Sequence, residues 1–394
     1  MYDKKLSVII PTKNRQPYAF KCIETLLDYR LPGLEIVVQD NSDSDMLREM
    51  LGDRVDGVRL RYAYSAECLS FCTNFERGVE LSTGDYLMMI GDDDCVFPEA
   101  VRLTDILREK EIDAAVYDTQ TSYLWPNAIA KSAGGRLVVR KQKNCVKQLS
   151  TAHALREMVT SGFYDYQAYP FPKVYHGIVK REKFDRVKEK TGHYFGGLTP
   201  DIYGAVALSF YIDRMLYLST PFSLPGTCAK SGSADSLTGR HTGELSDAPH
   251  FRGHTDYHWD SEIPYVYSVD TIWAESAFKA VKENGGNISL SPAELFAFLA
   301  HILKRCPAFE ERLAGFYKEK TGADVNQTQR KLRHAAAKLS RKSFVRKRMA
   351  FALQLVKGRY VYQDVADIQS AVSLAGKRLK QSEKVLEKAE KMVW

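Results

Sequence analysis

The sequence predicts an α/β protein with a Rossmann-like, mostly parallel sheet flanked by helices and followed by an α-helical C-terminal region. Three observations carry this expectation. Leu6-Ser7-Val8-Ile9-Ile10-Pro11-Thr12 is an apolar run stopped by proline, followed by a Lys13-Asn14-Arg15 loop, helical spacing from Tyr18 to Tyr29, and a second apolar run, Leu34-Glu35-Ile36-Val37-Val38-Gln39-Asp40. Strand, helix and strand in that order form a βαβ unit, which implies parallel pairing. Gly84-Asp85-Tyr86-Leu87-Met88-Met89-Ile90-Gly91 reads as a buried central strand, and it ends in Asp92-Asp93-Asp94. From Ile263 the apolar spacing is helical almost to the end.

The remaining elements follow in order. Phe97-Pro98-Glu99 opens a helix reaching Ile112, and Ala114-Ala115-Val116-Tyr117 is a strand. Residues 119–147 are polar, contain Gly134-Gly135, and read as strands or loops. Ala152 to Ser161 is helical, Val174 to Val179 is a strand, and a short helix begins near Arg181. Thr199-Pro200-Asp201 opens an apolar helix. The stretch Tyr203–Leu218 is broken by Asp213 and Arg214, so it reads as core helix plus strand rather than a membrane span. Tyr265 to Asn284 is a helix closed by Gly285-Gly286, and Ser291-Pro292-Ala293-Glu294 caps another that ends at Cys306-Pro307. Residues 324–357 form a basic helix. In 364–394, Ile368, Val372, Ala375, Leu379, Ser382, Leu386, Ala389 and Val393 make a heptad seam, readable as self-association or as packing within the chain.

A chain of 394 residues with 44% hydrophobic residues is an ordinary globular protein of two or three domains. Seven scattered cysteines do not suggest a disulfide framework, and Cys68-x-x-x-Cys72 has no partner pair at zinc spacing. The run at 6–10 is too short for a signal peptide. The expectation is a cytoplasmic protein with free thiols. Residues 330–359 contain eleven Lys and Arg and no acid, so removing them from the net charge of +7 leaves −4. With Val345, Met349, Ala352, Leu353 and Val356 on one face, this segment suggests peripheral attachment to an anionic membrane. A solvated basic helix packed on the protein is the alternative. Nucleic acid is not expected as a partner of this segment.

Ligands bind beyond the carboxyl ends of parallel strands, so Thr12, Asp40 and Asp92 to Asp94 converge on one crevice. Three adjacent carboxylates repel one another, and Mg²⁺ or Mn²⁺ would relieve that repulsion with substrate phosphates completing its shell. The plainer reading of the acids is a solvated turn capping the next helix.

These residues together resemble the family 2 inverting glycosyltransferases of the GT-A fold. Ser-Val-Ile-Ile-Pro-Thr-Lys-Asn-Arg at 7–15, Asp40-Asn41-Ser42, and Gly84-Asp85-Tyr86 leading into Asp92-Asp93-Asp94 carry the resemblance, which covers about residues 4–235. It implies an NDP-sugar donor, a divalent cation and inversion at the anomeric carbon. By the same resemblance Pro11 and Thr12 line the base pocket, and Asn14 and Arg15 follow them in the donor loop. Asp40 meets the uracil imide, which points to a UDP-sugar. Asp92 and Asp94 match the Asp-x-Asp acids, with Asp92 at ribose and metal and Asp94 the direct metal ligand; Asp93 stands between them at the donor. Asn74 and Arg77 occupy the region where many members carry an Arg-Asn pair, and the pattern here departs from it. Asp201 matches the catalytic base, where an inverting displacement needs a carboxylate to take the acceptor proton; its plainer role is to complement the helix dipole. Lys230 and Ser231 begin a small polar loop, 230–236, of the kind that closes over a diphosphate. His176 is a candidate acceptor contact. His250, His254 and His258 are spaced four apart, but Pro249 and Gly253 argue against a helical metal site, so the segment 239–260 reads as an acceptor or lid segment.

The expected organisation is a GT-A domain over 1–262 (nucleotide half 1–118, acceptor half 119–262), a helical extension over 263–323, and basic and heptad-patterned helices over 324–394. The acceptor would be a glycan or lipid-linked hydroxyl in surface polysaccharide assembly. Two other functions compete. A nucleotidyltransferase needs a glycine-rich loop after strand one, where this chain has Pro11-Thr12-Lys13-Asn14-Arg15. A catalytically silent membrane- or partner-binding scaffold would not need three acids at 92–94.

Overall fold

A computed structural model describes residues 5–392 apart from 119–120, 130–132, 142, 152, 164–168, 232–241, 246–247 and 252–256. The elements are β1 (Leu6–Thr12), α1 (Gln16–Asp28), β2 (Leu34–Asp40), α2 (Met46–Leu51), β3 (Leu60–Tyr64), α3 (Phe71–Leu81), β4 (Tyr86–Met89), β5 (Cys95–Val96), α4 (Glu99–Glu109), β6 (Ala114–Tyr117), β7 (Thr121–Leu124), β8 (Arg136–Arg140), β9 (Val146–Leu149) and α5 (Ala154–Thr160). They continue with β10 (Gly177–Lys180), α6 (Arg181–Thr191), α7 (Pro200–Leu208), β11 (Met215–Leu218), β12 (Ser223–Leu224), β13 (Gly226–Thr227), β14 (Thr242–Gly243), β15 (Tyr267–Ser268), α8 (Val269–Glu283), α9 (Pro292–Arg305), α10 (Glu310–Thr321), α11 (Val325–Lys357), β16 (Arg359–Gln363), α12 (Ile368–Gly376) and α13 (Ser382–Glu390).

Eight strands form the main sheet in the order β3-β2-β1-β4-β10-β6-β11-β9. β3, β2, β1 and β4 run parallel, as do β6 and β11, while β10 and β9 are antiparallel to their neighbours. Residues of β1 alternate between two buried faces. Leu6, Val8 and Ile10 pack under α1 and α4, and Ile9 packs on the opposite side with Val79 of α3. Burial on both faces explains why these strands read as continuous apolar runs.

The sequence expectation for β1, β2, α4 and β6 agrees with the structure to within a few residues. The strand expected over Val174–Val179 is shorter. His176 sits at φ 53 and breaks the extended backbone, Tyr175 makes only an isolated bridge to Met89, and regular pairing starts at Gly177. The helix expected from Tyr265 begins later, because Tyr267 and Ser268 pair with β14 and the Ser268 hydroxyl caps α8 by accepting from the Thr271 amide.

The C-terminal region departs further from expectation. α8 to α11 form a helical body against α7, with Leu332 and Ala336 of α11 buried in it. Past that body α11 becomes exposed, and Phe344, Val345 and Met349 are 61%, 54% and 61% exposed. The side chains of 350–357, including Ala352, Leu353 and Val356, lie outside the described ones. β16 then pairs antiparallel with β8, from Arg359↔Arg140 to Gln363↔Arg136, and returns the chain to the first domain. The heptad seam is not one helix. It breaks between α12 and α13, and Ile368, Val372, Ala375, Leu379, Ser382, Leu386 and Ala389 are all buried against the first domain. Arg102 of α4 holds Glu383 and Glu390 of α13, and Gln369 donates to Asp28 of α1. Of the two readings of 364–394, the structure carries packing within the chain: the described part of the seam meets α1 and α4, and Val393 lies outside the described residues. Among the described residues no helix is long and apolar enough to cross a membrane.

Candidate functional site

The sheet register builds the site. Thr12 stands opposite Asp40 at the last pairing of β1 and β2. β4 lies on the other side of β1, and the Ile90 amide extends that ladder by donating to the Ile9 carbonyl. The chain then turns, with the Asp94 amide donating to the Gly91 carbonyl, and Asp92, Asp93 and Asp94 are delivered beside Thr12. The acids are buried, which removes the reading of a solvated acidic turn.

Each acid is held differently. Asp92 Oδ2 accepts from the Thr12 hydroxyl at 2.5 Å. Its Oδ1 lies 3.0 Å from Arg15 Nε as an ion pair, yet accepts no directed hydrogen bond. Burial holds this carboxyl above the usual carboxylate range despite the opposing pull of Arg15. Asp93 Oδ2 accepts the Cys228 amide at 2.9 Å, its carbonyl accepts from Trp125 Nε1 at 2.9 Å, and Arg15 lies 3.5 Å from Oδ1. Burial and the neighbouring Asp94 charge push its carboxyl up as well. Asp94 Oδ1 accepts the Gly226 amide at 2.7 Å. Its Oδ2 accepts the Gly91 amide at 2.6 Å and the Tyr175 hydroxyl at 3.3 Å, and faces His176 Nε2 at 3.0 Å.

His176 thus belongs to the acid cluster. Its Nδ1 is 2.8 Å from the Ser223 hydroxyl, which also accepts from Tyr117 at 2.8 Å. The left-handed backbone at His176 falls at the residue whose ring meets Asp94 and Ser223.

Asp40 is fully buried. Its Oδ1 accepts the Ser42 amide and its Oδ2 the Tyr62 hydroxyl, both at 2.8 Å. Pro11 lies one residue back in β1. Asn14, at φ 56, is pinned by Asp43, and its amide donates to the Ser42 hydroxyl. Asn74 Nδ2 reaches the Thr12 carbonyl at 3.5 Å, and its buried Oδ1 has no hydrogen-bond partner. Arg77 instead clamps the 65–67 segment, donating to the Ser65 hydroxyl at 2.7 Å and to Glu67. Lys230 donates to the Asn14 carbonyl at 3.2 Å, and buried Ser231 bonds back to the Cys228 carbonyl. Gly226 to Ser231 therefore folds over the β1–α1 loop; residues 232–236 of the polar loop lie outside the described residues.

Asp201 is in the first turn of α7, with Pro200 at its start. Burial raises the Cys72 thiol and the Asp201 charge adds to it; the Tyr175 phenol, whose hydroxyl reaches Asp94, is raised by burial, then by Asp94 and Asp93, with Asp201 a smaller contributor. Tyr175 also stacks on Phe75 of α3, and Cys72 of α3 reaches the Gly196 and Gly197 carbonyls ahead of α7, so α3 links the acid cluster to the segment that leads into the Asp201 helix. His250 packs between Phe71 and Tyr267, His258 is exposed in irregular chain, and His254 lies outside the described residues.

Among the described residues no three His, Cys, Asp or Glu side chains converge as a cage for a metal. The donor set still suits a hard cation shared with phosphate. Asp94 and Asp92 present carboxylate oxygens at one strand end, and the Asp92 Oδ1 atom has no directed donor. Sequence reasoning missed Tyr62, Tyr175, Ser223 and the amides of Gly226 and Cys228. Pro225-Gly226 is a turn signal, but nothing local says that the turn meets the acids.

Residues 7–144 match the family model described as glycosyl transferase family 2. Over 192 residues the chain is 20% identical to glycosyltransferase GlyG of Streptococcus pneumoniae, covering 48% of this chain and 61% of that one. Over 92 residues it is 30% identical to the GalNAc(5)-diNAcBac-PP-undecaprenol beta-1,3-glucosyltransferase of Campylobacter jejuni, covering 23% of this chain and 30% of that one. The chain thus spans less than two thirds of the length of either relative. Among solved structures it is similar to Staphylococcus aureus TarS 1–349 in complex with UDP-GlcNAc, with 14% identity, a TM-score of 0.49, and 85% and 88% of the two chains covered.

Proposed function

Residues 7–144 belong to glycosyl transferase family 2, and on that premise we propose that the protein is a metal-dependent inverting glycosyltransferase. It moves a sugar from an NDP-sugar, with UDP the favoured nucleotide, to a hydroxyl of a glycan or lipid-linked acceptor. The observation that supports this best is the placement of buried Asp92, Asp93 and Asp94 beside Thr12 and Asp40 at the ends of β4, β1 and β2. Domain 1–262 would carry the reaction, with the base bound in the nucleotide half near Pro11, Thr12 and Asp40.

Each residue then has a chemical task. Asp40, fixed by Tyr62 and Ser42, accepts from the uracil imide. Asn14, Arg15, Asn74, Arg77, Lys230 and Ser231 shape the donor pocket around the loops that they already tie together. Asp94 and Asp92 would hold Mg²⁺ or Mn²⁺, which when bound would offset charge growing on the departing diphosphate. His176 and Tyr175 keep the Asp94 carboxylate aimed. Asp201 takes the proton from the acceptor hydroxyl as its oxygen attacks the anomeric carbon from the face opposite UDP; the glycosidic bond forms as the bond to the diphosphate breaks.

The basic end of α11 would place the enzyme on the cytoplasmic face of a membrane. Exposed Phe344, Val345 and Met349 stand beside exposed Arg341, Lys342 and Arg348, the pattern of an interfacial helix on anionic lipid. The Campylobacter relative is named for an undecaprenol-linked substrate, and an acceptor of that kind would confine this enzyme to the same surface.

The experiment is turnover of a panel of NDP-sugars, with and without Mn²⁺, by the wild type, Asp94→Ala and Asp201→Asn. Asp94→Ala should abolish metal-stimulated donor hydrolysis and metal-dependent UDP binding. Asp201→Asn should lower transfer by ~10²–10⁴-fold with UDP affinity near normal. Metal-dependent UDP binding that survives undiminished in Asp94→Ala would overturn the metal assignment.

A further inference from the structure

Asp201 lies on α7, and α8, which packs most extensively on α7, lies outside the matched family segment. Thr199 is the N-cap residue of α7, but its side chain makes no cap hydrogen bond. Its hydroxyl donates instead to Ser276 Oγ of α8 at 2.9 Å. The same buried oxygen accepts the Leu198 amide at 3.1 Å and the Thr199 amide at 3.0 Å. Gly197 makes this approach possible. It sits at φ +70, and a Cβ there would stand 2.9 Å from Ser276 Oγ. On the opposite side, Cys72 of α3 reaches the Gly196 and Gly197 carbonyls at 3.5 and 3.4 Å.

A second pin lies farther along α8. Tyr203 of α7 donates to Glu283 Oε2 at 2.5 Å, and His193 Nε2 faces the same oxygen at 3.0 Å. Ser276 and Glu283 are two turns apart on α8, roughly 10 Å along its axis. They hold Thr199 and Tyr203, the residues that bracket Asp201.

We propose that α8 is part of the catalytic apparatus: Ser276 and Glu283 are positioning residues that hold α7, and with it Asp201, in register for proton transfer. This rests on Asp201 being the base. The helical extension then has a task beyond packing, because a helix anchored on both sides of the base limits how far the carboxylate can drift from the acceptor oxygen. A misplacement of about 1 Å can cost ~10²-fold in rate without touching the chemistry.

The test is a double-mutant cycle in the full chain with Ser276→Ala and Asp201→Asn, using Mn²⁺ and the UDP-sugar turned over fastest in a panel. Ser276→Ala should lower kcat by ~10–100-fold, with donor KM and UDP affinity unchanged within about twofold. In the Asp201→Asn background the same change should cost nothing further, because there is no base left to align. UDP binding by Ser276→Ala shows that the nucleotide half is folded; if that variant does not fold, Tyr203→Phe reads the second pin by the same criteria. An unchanged kcat, a loss in kcat matched by lost UDP affinity, or a loss that simply adds to that of Asp201→Asn would overturn the positioning role. Full turnover by Asp201→Asn would overturn the base assignment and this proposal with it, whereas a slow Asp201→Asn beside a full-speed Ser276→Ala overturns the positioning role alone.

Discussion

Glu275 offers a quantitative check on how α8 is buried. Only 2% of its surface is exposed, and its carboxylate accepts from the Tyr257 hydroxyl at 3.0 Å and from the Asp260 amide at 3.1 and 3.2 Å. Burial dominates these hydrogen bonds and raises the carboxyl from 4.5 to about 7. The sign is opposite to that of a salt-bridged acid. Between pH 4.5 and 7 the native state keeps a proton that the unfolded chain has released, so stability falls as pH rises through this window and levels off above it. At about 1.4 kcal/mol per unit, a shift of this size amounts to ~3 kcal/mol. Glu275→Gln removes the titration while keeping an acceptor for Asp260 and Tyr257. Urea unfolding of both proteins from pH 4.5 to 8 should show the wild type losing about 3 kcal/mol relative to the variant. Asp92 also has a raised carboxyl, but it is present in both proteins and cancels in the difference. Parallel stability curves would refute the argument that burial controls this group.

Gly226→Ala places a Cβ 1.8 Å from the Asp93 carbonyl oxygen and displaces the amide that holds Asp94, so calorimetry should show metal-dependent UDP binding weakened by roughly tenfold or more, the scale of losing a group that orients a metal ligand; unchanged binding would mean that the 226–231 turn does not support the acids. For the membrane, sedimentation with anionic liposomes at low and high salt should pellet the intact chain at low salt, and Phe344→Ser, Val345→Ser, Met349→Gln combined should leave it in the supernatant. Truncation before residue 329 is a poor version of that test, because it also removes α12 and α13 from the core of the first domain. Failure of the intact chain to pellet would sink the membrane reading.

The residues themselves determined the nucleotide half. β1, β2 and β4 are legible because a strand buried on both faces must be apolar throughout, and a helix between two such strands forces them parallel. From that topology alone Thr12, Asp40 and the three acids had to meet at one edge. The charge of α11 and the heptad spacing of α12 and α13 were equally plain, but spacing reports only that a face is apolar, not what covers it. Tertiary structure decided that the seam meets α1 and α4 of the same chain, and that antiparallel β10 enters between β4 and β6. It also decided that Gly226, Cys228 and Tyr62 meet the candidate site acids Asp94, Asp93 and Asp40, and that Ser276 meets Thr199, all from far away in sequence. Periodicity and capping arise from neighbours within a few residues, where backbone sterics and solvent act the same way in any fold. A hydrogen bond between Ser276 and Thr199 exists only after the chain between them has closed, and no local preference of either residue encodes that closure.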